Sequence, residues 1–240
     1  HCFDTNFRSN CRIFTSGKEA VYMPTEEMNN DIITENRNKF VSLLSSISIE
    51  NADIQGLLDW LDNSDFYVAP ASTMYHSNYA GGLCQHSLNV YNNLMQLAAI
   101  YCPGQYSSDT LTVLALLHDI SKANFYEHTI INKKVYNEHG SKHDNMGNFD
   151  WVSQDAYKVK DATERSLLGT HEEASALMLG TFIPLTLEET IAVMHHHCGM
   201  NDEGQFRDLS AHLNKYPLLT LLHAADFLST FINEKDSCVR

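Results

Sequence analysis

Basic residues are scarce in this chain. Its 240 residues hold 16 Lys and Arg against 30 Asp and Glu, a formal charge of −14. That balance opposes non-specific binding to long nucleic acid, which needs basic surface. It leaves room for a small anion gripped by a few cationic groups. No apolar run approaches the roughly 20 residues that would cross a bilayer, and no charged-then-apolar leader opens the sequence. Repeats and low-complexity stretches are absent as well. The 6 Cys, at positions 2, 11, 84, 102, 198 and 238, include no C-x-x-C pair, which excludes the usual zinc knuckle and dithiol redox site. They read as free thiols of a reducing compartment, and the expected address is the cytoplasm.

What is present is helical periodicity. Ile32, Ile33, Phe40, Leu43, Leu44 and Ile47 mark a helix over 30–50, and Ile54, Leu57, Leu58 and Leu61 mark a shorter one over 51–62. Pro70 and the small polar residues after it break the pattern, and Gly81-Gly82 closes a loop. Helices are expected over 83–101, 108–122 and 170–180, the last capped by Thr170. Thr186 and Glu189 form a capping-box pattern for another helix that Gly199 ends, and Pro217 fits the first turn of a final helix to about 233. Between them, 128–162 is polar and aromatic, with Lys133-Lys-Val-Tyr136 and Ala156-Tyr-Lys-Val-Lys160 alternating as a small hairpin would. The expected fold is a mostly α helical bundle with a small β-hairpin excursion near 128–162. An arm and helices over 1–63 are expected to pack on a core domain of 64–240.

His118 and Asp119 end the apolar run Leu111–Leu117, with Lys122 following at helical spacing. Imidazole and carboxylate are ligands for divalent transition metals, and burying them unpaired is costly. His86 lies on the inward stripe of its helix with Val90 and Leu94, and Asp226 sits among Leu219, Leu222 and Ala225. His171 starts a helix and His195-His196-His197 end one. One or two metal ions explain these inward polar groups together. Mixed imidazole and carboxylate ligation suits Mn, Fe, Co, Ni or Zn.

His86, His118-Asp119 and Asp226 match the H…HD…D pattern of the HD-domain superfamily of metal-dependent phosphohydrolases, and the chain resembles that family over about residues 64–234. Ala69–His76, Gly81–Leu88, Leu117–Lys122, Gly169–Ser175 and Ala225-Asp226 carry the resemblance. They are similar to a bacterial and phage branch, itself similar to the HD domains of 3′–5′ exoribonucleases and conjugation relaxases. The resemblance implies a dinuclear site with Asp119 between the metals and His171 as an added ligand. Alignment on Gly199 favours His197 as the next ligand, with His196 or His195 as alternatives and His143 a weaker one.

The activity so implied is cleavage of a phosphomonoester or phosphodiester through a metal-bridging hydroxide. The substrate would be a nucleotide, cyclic dinucleotide or short oligonucleotide. Lys122 is placed to contact a phosphate oxygen. His76 is a candidate proton donor, with Tyr79 beside it for the leaving group or a base. Lys133, Lys134 and Lys158 are candidates for further phosphates, and His223 for a ligand partner or pocket wall. The alternatives are a di-iron oxygenase with the same ligand set, a 3′–5′ exonuclease, and a binding module without turnover. The expected partner is a small phosphorylated compound, with no membrane.

Overall fold

A computed structural model of the chain describes residues 26–73, 77–165, 169–197 and 210–234. Seven α-helices are named here: α1 (Glu26–Ser45), α2 (Ile54–Asp62), α3 (Gly82–Tyr101), α4 (Ser108–Leu117), α5 (His171–Leu179), α6 (Leu187–Met194) and α7 (Pro217–Leu228). A short 3-10 turn, Ile120–Lys122, follows α4, and a π-helical turn, Ser229–Asn233, extends α7. The protein is a mostly α bundle with one small antiparallel sheet. Among the described residues no helix is long and apolar enough to cross a membrane.

Helix α3 is the hub and packs on α1, α4 and α7. It buries Leu83, Leu88, Val90 and Leu94. Helix α4 is apolar almost all round and buried over Leu111–Leu117, as a central helix must be. Phe40 and Leu44 from α1 and Leu57 and Leu61 from α2 enter the same core. Phe40, Phe66 and Tyr67 pack there with ring centroids 5.0 to 5.7 Å apart, in tilted and edge-on arrangements.

Local chemistry sets the helix ends. Ser107 caps α4, and Thr170 and Thr186 each close a capping box, with Glu173 and Glu189. Thr186→Ala should therefore cost about 1 kcal/mol and lower the melting temperature by a few degrees. Thermal denaturation followed by circular dichroism checks it. Gly81 adopts a φ of +82°, and a Cβ on Gly82 would collide with the Ser77 carbonyl. The Gly-Gly pair thus lets the loop carrying Ser77 lie against the start of α3.

Two boundaries differ from the sequence expectation, and both matter. The helix expected over 108–122 stops at Leu117. His118 is its C-cap, and Asp119, at φ −111° and ψ 20°, starts the 3-10 turn. The break turns the Asp119 carboxylate inward, where a continuing helix would have rotated it by about 100° from His118. The helix expected to run from Thr186 to Gly199 ends at Met194, which leaves His195, His196 and His197 in the turn beyond it. Gly199 lies outside the described residues.

The excursion lies where the hairpin was expected, and its strands extend beyond the two alternating runs. β1 (Tyr126–Tyr136) pairs antiparallel with β3 (Gly147–Val159), in register from Tyr126↔Val159 to Tyr136↔Phe149. β2 (Lys142–Asp144) pairs on the other side of β3, so the order is β1-β3-β2. The ribbon is exposed on both faces along most of its length. At its distal end the Lys134 ammonium sits 4.3 Å from the Phe149 ring centroid and 2.6 Å from Asp144. That pair, not a hydrophobic core, organises the tip.

Candidate metal centre

Three helix ends and two helix faces converge on Asp119. His86 comes from the first turns of α3, His118 and Asp119 from the end of α4, and His171 from the start of α5. His196 and His197 follow α6, and Asp226 lies in α7. The carboxylate of Asp119 divides its two oxygens. Oδ2 lies 3.4 Å from His118 Nε2 and 3.8 Å from His86 Nε2. Oδ1 lies 3.5 Å from His171 Nε2 and 3.6 Å from His196 Nε2. Asp226 spans the same two sides, with Oδ1 3.1 Å from His86 Nε2 and Oδ2 3.3 Å from His197 Nε2. Two ligand groups emerge, His86–His118–Asp119 and His171–His196–His197.

All five rings turn Nδ1 outward onto an oxygen. His86 Nδ1 lies 3.0 Å from Glu234 Oε1, and His118 Nδ1 lies 3.0 Å from the Ala115 carbonyl. His196 Nδ1 lies 2.7 Å from the Val193 carbonyl, and His197 Nδ1 lies 2.9 Å from Glu172 Oε1. His171 Nδ1 is 3.2 Å from Glu172 Oε2. Outer acceptors of this kind keep a proton on Nδ1 and leave Nε2 as the atom that faces inward to ligate. His118 and His196 use one device twice. Each follows an apolar helix and donates to the carbonyl three residues back, which the helix end leaves without a partner.

The buried polar atoms test whether this set suits a cation. His118 Nε2, His171 Nε2, His196 Nε2 and Asp119 Oδ1 are buried and make no hydrogen bond. Each such atom costs about 1–3 kcal/mol when left unpaired. Divalent cations would satisfy all four at once, and the donors present, imidazole nitrogen and carboxylate oxygen, fit that use.

Electrostatics point the same way. Burial would raise the Asp119 carboxyl, but Lys122 and His118 overcome it and hold the group far below the usual carboxylate range. Burial opposes ionised Asp226 too, and His197 and His86 outweigh it. Burial pulls His171 down to about 3 and also lowers His118, so both rings are neutral and ready to ligate. At His86 burial disfavours the charge, yet Asp226 and Glu234 push the ring up to about 10. At His197 the same contest, with Asp226 and Glu172 on the other side, ends at about 9.

The sequence-derived candidates fall into three sets. His86, His118, Asp119, His171, His196, His197 and Asp226 are brought together, and Lys122 joins them. Its ammonium is buried and 2.7 Å from Asp119 Oδ2. Of the triple His, alignment on Gly199 favoured His197, with His196 or His195 as alternatives. His196 is fully buried and His197 is 38% exposed at its side chain, yet both aim Nε2 at the carboxylates. His195 is exposed and faces His212. His223 stands behind the centre, its Nδ1 2.7 Å from the His196 carbonyl, which fixes the turn that holds His196.

The second set does not reach the centre. Lys133 and Lys134 lie seven and eight residues along β1 from Tyr126, roughly 25 Å of strand. Lys134 is paired with Asp144 and Lys158 with Glu127, while His143 bonds Asn148 on the ribbon. Alternation in the sequence marked a hairpin but not how far it projects. Tyr79 is 37% exposed beside the Ser77 loop. The third set is His76, which lies outside the described residues.

Three supports went unread in the sequence. Glu234 is buried and accepts from His86 Nδ1, from Asn89 Nδ2 at 2.9 Å and from Ser77 Oγ at 2.7 Å. Glu172, read only as a first-turn acid of α5, faces both His171 and His197. Ser175 and Ser121 form a buried clasp. Ser175 Oγ donates to Ser121 Oγ at 2.9 Å, and Ser121 Oγ is 2.8 Å from the His171 carbonyl. The clasp sets α5 against the turn after Asp119.

The family model for the HD domain matches residues 83–230. That span holds every candidate ligand named above. No curated protein and no solved structure matches the chain.

Proposed function

Since the chain belongs to the HD-domain family, whose members are generally metal-dependent hydrolases, we propose that it is a dinuclear phosphohydrolase of small nucleotide-like substrates. The observation that carries this reading is the set of five imidazoles with Nδ1 held outward and Nε2 aimed at Asp119 and Asp226. His86, His118, Asp119 and Asp226 would hold one divalent ion, and His171, His196, His197 and Asp119 the other. Two such ions supply an activated water and neutralise charge on a phosphoryl group.

The chain's own groups do the rest. Lys122 keeps its proton, since the Asp119 carboxylate outweighs the burial of its ammonium. Its remaining N–H groups suit a phosphoryl oxygen. Glu234 and Glu172 hold the ring planes of His86 and His197, so these ligands do not reorganise when charge develops. The net charge of −14 supports a small substrate over long nucleic acid.

The test is metal analysis of protein purified without added ions, then a panel of nucleotides, dinucleotides and generic phosphodiesters. Two transition-metal ions per chain with phosphate-ester cleavage are expected. Iron with O2 uptake and no ester cleavage would replace this reading with an oxygenase. His196→Ala should lose about one metal per chain, whereas His195→Ala should keep both, by plasma mass spectrometry. Metal affinity should also depend on pH. His86 and His197 hold protons up to about 10 and 9 without metal, and ligation at Nε2 must expel them. Affinity should therefore fall as pH drops from 9 to 6. Calorimetry in buffers of different ionisation heat would register the released protons.

A further inference from the structure

One cleft borders the centre without belonging to it. It lies between the turn after Asp119 and the start of α5, and its empty space, open mouth included, is about 370 Å³. His171 is the candidate ligand that also lines the cleft, with its side chain 23% exposed. Ala123, Ala174 and Met178 make an apolar floor. Arg165 supplies the charge. Its guanidinium carbon lies 5.4 Å from the Phe125 ring centroid, and its buried Nε makes no hydrogen bond.

These features select a ligand group. A guanidinium stacked on an aromatic face keeps its N–H donors in the plane, where they match the paired oxygens of a phosphate or carboxylate. A buried donor without a partner costs free energy, which an incoming anion would relieve. At the start of α5 the capping box engages two N–H groups, that of Glu173 with Thr170 Oγ1 and that of Thr170 with Glu173 Oε2, and no side chain there is cationic. Arg165 is thus the group that gives the cleft its sign. The narrow floor and single cation suit one phosphate rather than a nucleobase.

We propose that this cleft binds a second, non-scissile phosphate of the substrate, held by Arg165 while the scissile phosphate lies beyond His171. The inference rests on the phosphohydrolase reading and narrows it to substrates with two phosphates, such as a 5′-phosphorylated dinucleotide.

The test has two arms. Metal-loaded protein is assayed on a dinucleotide with and without its 5′-phosphate. The ratio of the two kcat/KM values should be at least about 10 and collapse towards 1 in Arg165→Gln, the scale of a lost charged hydrogen bond. In the second arm, inorganic phosphate binding to metal-free protein is followed by phosphorus NMR. Binding should persist in Asp119→Asn and weaken at least about 10-fold in Arg165→Gln. A ratio near 1 in the unmodified protein, or one unchanged by Arg165→Gln, overturns the proposal. Absence of turnover on both dinucleotides, with Arg165-dependent phosphate binding intact, removes the hydrolase reading and leaves the cleft as an anion site. Phosphate binding indifferent to Arg165 overturns the cleft whatever the activity. Circular dichroism of Arg165→Gln separates lost binding from lost fold.

Discussion

Asp119→Asn is expected to leave one metal per chain in place of two and to lower turnover roughly 10³-fold or more, the scale on which removal of a fixed charge from a reacting centre acts. The substitution keeps shape and removes one oxygen. The amide must choose a side. Lys122 Nζ, 2.7 Å from Oδ2, will keep the remaining oxygen, because a buried ammonium without an acceptor is the costlier outcome. The amide NH2 then faces His171 and His196, whose Nε2 atoms lie 3.5 and 3.6 Å from Oδ1. A donor there occupies the lone pairs that the second ion needs. The His86–His118–Asp226 side loses less. Stability should change little, since Leu114, Leu116 and Leu117 still bury the end of α4. Metal analysis, turnover and a thermal melt on one preparation decide the matter. Two metals and near-normal turnover would remove Asp119 from its position between the ions.

The candidate ligands His86, His118, Asp119 and Asp226 were legible because they interrupt an apolar pattern, whereas His171 and the His after α6 came from the family resemblance. His86 stands on the stripe of Val90 and Leu94, and Asp226 stands among leucines. A polar group in such a place asks for a partner. What could not be read is where helices stop. Periodicity ran α4 through Lys122, but the chain breaks at His118, and only that break gives Asp119 an oxygen for each side. The triple His illustrates the same limit. Three adjacent residues look equivalent in a string. A turn after α6 sends His195 to solvent and aims Nε2 of His196 and of His197 at the carboxylates. The lysines of the ribbon misled for the converse reason. Strand alternation is a local signal, and nothing local in β1 says that it leads away from the bundle. Lys133 and Lys134 therefore shared a sequence neighbourhood with the centre but not a location.

Glu234→Ala should weaken metal binding about 10- to 100-fold, the usual range for an outer carboxylate on a ligating imidazole, while Glu234→Gln should weaken it less. The carboxylate gathers at least three donors on two oxygens. Oε1 receives His86 Nδ1 and Asn89 Nδ2, and Oε2 receives the Ser77 hydroxyl. Gln can keep its oxygen at the first position and turn its NH2 to Ser77, whose hydroxyl is able to accept. It preserves the geometry and removes the charge. Ala removes both and leaves buried donors on α3 without this acceptor. The gap between the two variants measures how much of the effect is orientation and how much is basicity of His86. Eight residues separate Glu234 from Asp226. A straight α-helix would rotate them about 80° apart, and the widened turn at Ser229–Asn233 swings Glu234 back towards His86. That is why spacing alone did not disclose it. Competition with a chelator of known affinity, read by metal transfer, would measure both variants. Equal, unperturbed affinities in Ala and Gln would mean that the His86 plane is held by packing in α3 rather than by Glu234.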